Sequence, residues 1–310
     1  MPCAYGPSTG IPPSASVAPG NQSGDGSIAC AHRAIATRRR ALGARRLNHR
    51  VLQGLVLSAA IAFAARRARA LTPSGVVGAI ALGTVAVAAG WDWGILLIAH
   101  FIVASALSKV GAERKARRTA SLVAKGGERD LLQVLANGAV FGMAAVASIF
   151  LPAHPWFAVG AGALAASAAD TWATEIGTLA RGSPRSIRTL LLVPPGTSGG
   201  VSVIGTIAMV AGAAFIAALA TLFHWPHSVV LGTFLGGVAG AVADTALGAT
   251  IQERRRCLGC GEHTERKVHI CGSRTRRAGG IGGLDNDVVN FLATVVGGGI
   301  AFGFFDLAGR

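Results

Sequence analysis

The sequence predicts an all-α, polytopic transmembrane helical bundle of about seven to eight Gly/Ala-rich spans. Three observations carry this. Apolar residues make up 51% of the 310 and charged residues only 14%, against roughly 25% charged in soluble proteins. The apolar residues come in runs close to the length of about 17 to 20 that a bilayer-crossing helix needs. Those runs lack the period-2 alternation of a membrane barrel. Gly is abundant, 43 residues, but follows no Gly-X-Y period, which excludes a collagen. Long apolar segments exclude disorder for most of the chain and argue against a soluble single-core enzyme.

Residues 1–47 are Pro/Gly/Ser-rich, then Arg-rich, with Asp25 as the one acid. They read as a disordered tail, an acid-poor transit peptide, or sequence upstream of the true start. Residues 48–310 form the integral membrane domain. Its candidate spans are 49–65, 74–90, 93–108, 131–151, 156–180, 199–223, 227–251 and 287–307. Their Gly and Ala content suits closely packed membrane helices.

The formal net charge is +15, and it is clustered. Lys/Arg crowd the stretches Arg33 to Arg50, Lys109 to Arg129 and Arg254 to Arg277. Basic loops between apolar spans follow the positive-inside pattern. Loops 109–130, 181–198 and 252–286 therefore share the cytoplasmic face. The short connections at Trp91-Asp92-Trp93, Pro152–Pro155 and His224–His227 face the other side, where Trp91, Trp93, Trp156 and Trp225 suit an interfacial belt. Arg66, Arg67 and Arg69 then belong inside, so either span 1 is interfacial or the basic tail is translocated. One Tyr in the chain and no aromatics in the basic loops argue against a nucleic-acid partner. The expected partner is the lipid bilayer. The location is a bacterial inner membrane, or an organellar membrane if residues 1–47 are a transit peptide.

Charges inside spans mark function. Ala169-Asp170-Thr171-Trp172-Ala173-Thr174-Glu175 lies near the inner end of one span. Asp170 and Thr174 fall about 40° apart on a helix, as do Thr171 and Glu175. Two carboxylates that close require a proton or a cation between them. Oxygen ligands point to Mg²⁺ or Mn²⁺; a capping or interhelical role for Asp170 is the alternative. Ala243-Asp244-Thr245, with Gly248 and Gln252, repeats the theme.

Between these spans runs Val193-Pro194-Pro195-Gly196-Thr197-Ser198-Gly199-Gly200-Val201-Ser202. Successive glycine amides can form an anion nest, and Gly199 and Gly200 precede a helix N-terminus that favours phosphate. A tight turn without a ligand is the other reading. Gly282-Gly283-Leu284-Asp285-Asn286-Asp287-Val288-Val289-Asn290 opens the last span. Asp285, Asn286, Asp287 and Asn290 are too many polar residues for one cap, which points to ligands for a metal or nucleotide. Gln133 and Asn137, one turn apart, suit either interhelical hydrogen bonding or substrate contact. Lys109, Lys125, Arg129, Arg185 and Arg188 share the face of the acidic sites and suit an anionic substrate or lipid headgroups. Cys257-x2-Cys260-x8-His269-x-Cys271 has zinc-knuckle spacing, with His263 as an alternate fourth ligand; free reduced thiols are the alternative.

Asp170–Glu175, Pro195–Ser202 and Leu284–Asn290, together with Leu71-Thr72-Pro73-Ser74-Gly75 and Gln133–Gly138, resemble the signatures of the domain-of-unknown-function 92 family. That family includes the transmembrane protein 19 group and plant phytyl-phosphate kinases. The resemblance covers about residues 50–307. It implies an integral membrane protein and, in the plant branch, phosphorylation of an isoprenoid monophosphate to the diphosphate. An Asp-bearing span followed by a Gly-Thr-Ser-Gly loop is also similar to polyprenol and phytol kinases, which use CTP. The leading expectation is thus a membrane-embedded phosphotransferase using CTP or ATP. Asp170, Thr174, Glu175 and Asp244 would be catalytic. Asp170, Glu175, Asp244 and Asp287 would hold Mg²⁺. Pro195, Gly196, Thr197, Ser198, Gly199, Gly200, Ser202, Asn286 and Asn290 would bind nucleotide phosphates. Cys257, Cys260, His269 and Cys271 would bind Zn²⁺. The rival is an ion-coupled transporter with an Asp/Thr-lined site.

Overall fold

The computed structural model describes the backbone of residues 24–152 and 154–308, and side-chain surroundings from residue 43. Whether residues 1–23 form a tail, a transit peptide or untranslated sequence lies outside the described residues. Helix α1 (Gly24–Arg67) starts well inside the stretch expected to lack structure. From Ser27 onward the segment is mostly Ala, Arg and Leu, strong helix formers. The part through Arg46 is one compact unit, and the part from Leu47 onward is another.

The second unit is a helical bundle. After α1 come α2 (Pro73–Ala89), α3 (Trp91–Lys109), the short α4 (Ala112–Thr119), α5 (Leu131–Phe150) and α6 (Trp156–Gly177). Strands β1 (Arg185–Ser186) and β2 (Gly200–Val201) pair antiparallel ahead of α7 (Val203–Leu222) and α8 (His227–Thr250). Strands β3 (Arg254–Cys257), β4 (His263–Thr264) and β5 (Thr275–Gly279) form a small antiparallel sheet in the order β4-β3-β5, and α9 (Asn286–Ala308) closes the chain.

Among the described residues, six helical stretches are long and apolar enough to cross a membrane: Gly43–Arg67, Trp91–Lys109, Leu131–Phe150, Val203–Leu222, His227–Thr250 and Asn286–Ala308. The other two expected spans are α2, with 17 residues, and α6. Helix α6 is poor in large aliphatic residues because it is the centre of the bundle. Ala158 and every residue from Gly160 to Ala169 are buried, and α3, α5, α7, α8 and α9 pack around it. A helix shielded from lipid by its neighbours need not be strongly hydrophobic. The outer helices turn Val56, Ile102, Met143, Ile207, Leu231 and Ile300 outward instead.

Small residues let the backbones meet. A Cβ at Gly236 of α8 would lie 2.3 Å from the Gly297 carbonyl oxygen of α9. One at Gly240 would lie 2.4 Å from the Ala166 Cβ of α6.

The basic loops meet at one end of the bundle. Arg66 Nη1 donates to Glu128 Oε2 at 2.5 Å. Thr72 N donates to Arg129 O at 3.0 Å, and Arg129 N to Ala70 O at 2.9 Å. The C-terminus of α1 therefore lies with the basic loops. Caps define this end: Thr72 Oγ1 accepts from Gly75 N at 3.1 Å, and Asp130 and Gln133 form a capping box. Ser202 Oγ accepts from Gly205 N at 3.1 Å, so α7 begins at Val203, not at residue 199 as expected. Gly200 and Val201 are held out of the helix by their pairing with Ser186 and Arg185.

At the opposite end Trp93 is not a belt residue. It is 5% exposed and packs against Phe141, with centroids 5.2 Å apart, and Trp225. Trp225 Nε1 donates to Asp92 Oδ2 at 3.1 Å. These rings plug the core, while Trp91 stays 45% exposed.

Candidate functional site

The two Ala-Asp-Thr triplets come together. Helices α6 and α8, with α7 the one helix between them in sequence, both end at the basic face. Each helix rises about 1.5 Å per residue, so Asp170 lies about 10 Å below the end of α6 and Asp244 about 9 Å below the end of α8. Their carboxyls come within hydrogen-bonding reach of each other. Asn290, from the first turns of α9, has its carboxamide against Asp244 Oδ1 and Asn286 O; with the amide nitrogen turned to face these acceptors, as their chemistry requires, it donates to them at 2.9 and 3.3 Å. Three helices thus deliver two carboxyls and one carboxamide to one point. A proton or a cation must sit between two carboxyls so placed. The carboxyl oxygens of Asp170 and Asp244 are donors of the type that a hard divalent cation takes.

The other expected site residues take different partners. Glu175 Oε2 accepts from Lys115 Nζ at 2.5 Å, and Oε1 from Ser108 Oγ at 2.6 Å. Asp287 Oδ2 accepts from Lys125 Nζ at 2.5 Å, and Asp130 Oδ2 from the same nitrogen at 2.9 Å. Burial works against ionisation at both Lys125 and Asp130, yet their mutual hydrogen bond raises the Lys125 pKa and lowers that of Asp130. Glu175 and Asp287 are each paired with a lysine rather than hydrogen-bonded into the Asp170–Asp244 pair, and Glu175 stays within electrostatic reach of Asp170. Thr174 is exposed, and its carbonyl accepts from Thr178 Oγ1 at 2.8 Å. Asn286 contributes its backbone to Asn290 rather than a side chain to the carboxyls.

The Pro195–Ser202 loop lies against the end of α8. A Cβ at Gly199, where φ is +77°, would fall 2.4 Å from the Ala249 Cβ. Thr197 Oγ1 donates to Pro194 O at 2.7 Å, and Thr197 N and Gly200 N donate within the turn at 3.2 and 2.9 Å. Ser202 caps α7. Thr197 and Gly200 thus use their amides within the turn, and the Thr197 and Ser202 hydroxyls serve the loop and the α7 cap. Ser198 differs: its Oγ donates to Glu265 Oε1 at 2.7 Å, and Gln252 Nε2 donates to the same oxygen at 2.8 Å. Burial raises the Glu265 carboxyl above its usual range despite these bonds. Glu265 is also within electrostatic reach of Asp244. It tethers the Pro195–Ser202 loop, the end of α8 and the Cys/His loop together.

A crevice of about 110 Å³ opens between α1, α2, α3, α5 and α6. Leu57, Ile61, Leu82, Leu97, Ile98 and Phe101 give it apolar walls; Arg129, Gln133, Asn137, His100 and Thr171 give it polar points. Arg129 comes from the basic face, and its Nη2 donates to Ser108 Oγ at 3.4 Å. Gln133 is drawn into its capping box. Asn137 Oδ1 accepts from Ser167 Oγ at 2.9 Å, and that Oγ lies 3.2 Å from His100 Nε2. His100 Nδ1 is buried with no partner.

In the Cys/His loop the ligand atoms of Cys257, Cys260, His269 and Cys271 lie within 4.8 Å of one another. His263, the alternate ligand, pairs instead with Arg256 across β3 and β4.

Sequence reasoning missed Lys115, Glu265 and the His100–Ser167 pair. Lys115 was one cation in a basic run, but its place two turns beyond the end of α3 was a signal. Glu265, the sole acid between His263 and Asp285, was another.

Comparison with known proteins follows the same lines. A family model described as integral membrane protein DUF92 matches residues 56–298. An uncharacterised membrane protein of Methanocaldococcus jannaschii is 31% identical over 251 residues, covering 80% of this chain and 92% of its own. Protein PGR of Arabidopsis thaliana is 29% identical over 273 residues, covering 80% and 93%. The chloroplastic protein VTE6 of the same plant is 26% identical over 236 residues, covering 74% and 64%. No solved structure matches the chain.

Proposed function

This chain belongs to the DUF92 family of integral membrane proteins, and we propose that it is a membrane-embedded kinase of an isoprenoid monophosphate. One observation carries the reading: Asp170, Asp244 and Asn290 converge about two turns in from the ends of α6 and α8, on the side of the bundle whose face bears Arg129 and the Pro195–Ser202 loop. A kinase of a lipid phosphate needs an apolar channel, a cation at its mouth and a carboxylate pair near the membrane surface. The Arg129-headed crevice suits the isoprenoid chain and its phosphate. The family resemblance points to the same substrate class.

The chemistry asks little covalent work of the protein. A phosphate oxygen of the acceptor attacks the γ-phosphorus of CTP or ATP. The bond from that phosphorus to the β-bridging oxygen breaks, and the nucleoside diphosphate leaves. The acceptor oxygen is already anionic, so no strong base is needed. Asp170 and Asp244 would hold Mg²⁺, which supplies neutralisation of phosphate charge when bound. Arg129 holds the acceptor phosphate, and Lys115 keeps Glu175 from repelling it. Ser198 turns from Glu265 toward the nucleotide phosphates.

The test is transfer of labelled γ-phosphate from CTP or ATP to phytyl, geranylgeranyl or farnesyl monophosphate by protein purified in detergent. We expect Mg²⁺-dependent diphosphate product, reduced at least 100-fold in Asp170→Asn. Folded protein that yields no product with any of these lipids would refute the kinase.

A second reading, an ion-coupled transporter, draws on one observation. The His100–Ser167–Asn137 chain sits midway along α3, about 13 Å from either end of that helix, where transporter sites lie. Substrate-dependent uptake into proteoliposomes, lost in His100→Ala, would favour it.

A further inference from the structure

We propose that Cys257, Cys260, His269 and Cys271 hold one structural zinc ion, and that this metal seats Glu265 on Ser198 and Gln252 over the carboxylate site. The inference stands apart from the kinase reading, because it concerns a metal the transfer chemistry does not use.

The first support is geometric. The Cys257 and Cys271 sulfurs are 3.4 Å apart and those of Cys260 and Cys271 are 3.9 Å apart. His269 Nδ1 lies 3.3 Å from Cys260 Sγ and 3.2 Å from Cys271 Sγ. Sulfurs at about 2.3 Å and an imidazole nitrogen at about 2.0 Å from a tetrahedral zinc lie roughly 3.5 to 3.8 Å from one another. A disulfide would need about 2.05 Å. Four of the six edges thus lie within about 0.4 Å of those of a zinc tetrahedron, and all four ligand atoms lie within 4.8 Å of one another.

The second support is the local backbone. Two turns present the ligands, and they are alike. Cys260 and Cys271 are each followed by a glycine with positive φ, Gly261 at +77° and Gly272 at +84°. Gly261 N donates to Cys257 O at 3.1 Å, and Gly272 N to His269 O at 2.9 Å. Each turn folds back so that its first and last ligands point the same way. The glycines are needed because a side chain is strained at such φ.

The third support is what the loop lacks. Its large apolar residues face outward: Leu258 is 63% exposed, Val268 56% and Ile270 59%. The side chains that do turn in are Cys257, Thr264, His269 and Thr275. A three-stranded sheet this small has no hydrophobic core to hold it, and a structural zinc supplies that stability outright.

The consequence reaches the site. Strand β4 leads directly into Glu265, whose backbone N donates to Leu122 O at 2.9 Å. The carboxylate then takes Ser198 and Gln252. Without the metal, β4 loses its fixed position on β3, and Glu265 loses its seat. Zinc thus keeps a lid of this chain over the end of α8.

The experiment uses the full chain, expressed with zinc supplied and purified in detergent without chelator. We expect about one zinc per chain by mass spectrometry, falling at least fivefold in Cys260→Ser and in His269→Ala. Cobalt substitution of the unaltered protein should give thiolate-to-cobalt and tetrahedral d–d absorption, which keeps the test decisive if the variants fold badly. Removing the metal should speed tryptic cleavage after Arg266 and Lys267 at least tenfold while the helices stay intact. Metal-free protein with Cys257, Cys260 and Cys271 all freely titratable would overturn the site. Zinc retained at full occupancy in both variants would overturn its assignment to these residues. Zinc present with unchanged cleavage at Arg266 and Lys267 would overturn the seating of Glu265.

Discussion

Lys115 illustrates what a single residue decides. Its side chain is 10% exposed, and its Nζ reaches Glu175 Oε2 and, at 2.7 Å, Leu107 O. An amine this enclosed must be paired, and so must the carboxylate it meets. Lys115→Met leaves Glu175 without its counter-charge, which should cost about 3 kcal/mol. Combining it with Glu175→Gln should restore most of that. Thermal unfolding in detergent of both single variants and the double variant reads the coupling; equal losses for Lys115→Met alone and for the pair would contradict it. Asp170 and Asp244 stood out in the sequence because a charge in an apolar span is conspicuous. Lys115 did not, because one cation in a run of cations carries no mark of the partner it will find.

At the scale of elements, helix packing depends on which glycine faces a neighbour. In α9, a Cβ on Gly297 would lie 2.6 Å from the Ala166 Cβ and 2.7 Å from the Gly162 carbonyl oxygen, whereas one on Gly299 meets nothing within 4 Å. Gly297→Ala should therefore lower the melting temperature and weaken the α6–α9 contact. Gly299→Ala should leave it unchanged or raise it, since alanine favours the helix by about 1 kcal/mol. Tryptophan fluorescence during heating separates the two, and a similar drop for both would show that packing is not the cause. The two residues are chemically identical and stand two positions apart in one glycine run. The helical period suggests different faces, but only the positions of α6 and α8 say which face is crowded.

For the whole molecule, the arrangement puts every long basic loop at one end. Ser183 lies at that end and His154 at the other, both exposed. The positive-inside rule predicts that the basic end is cytoplasmic. Ser183→Cys should react with a membrane-impermeant maleimide only in inverted vesicles, and His154→Cys only in intact cells, with labelling read peptide by peptide by mass spectrometry. Labelling of both from one side would break the topology. The same arrangement sets the depth of the candidate site: Asp170 and Asp244 occupy the third of their helices nearest the basic face, within reach of a phosphate at the membrane surface.

The class of the protein, the approximate spans, the shared face of the basic loops and the Cys/His ligand spacing were all determined by the sequence alone. Hydropathy and charge act locally, and a bilayer sorts them without reference to distant residues. Tertiary structure alone decided which carboxylates meet. Glu175, one turn from Asp170 on the same helix, goes to Lys115; Asp244, 74 positions away in the sequence, goes to Asp170. Helical periodicity places a side chain on a face, but its partner depends on which helix packs there. That choice is made by small-residue contacts such as Gly240 against Ala166, spread over several helices at once.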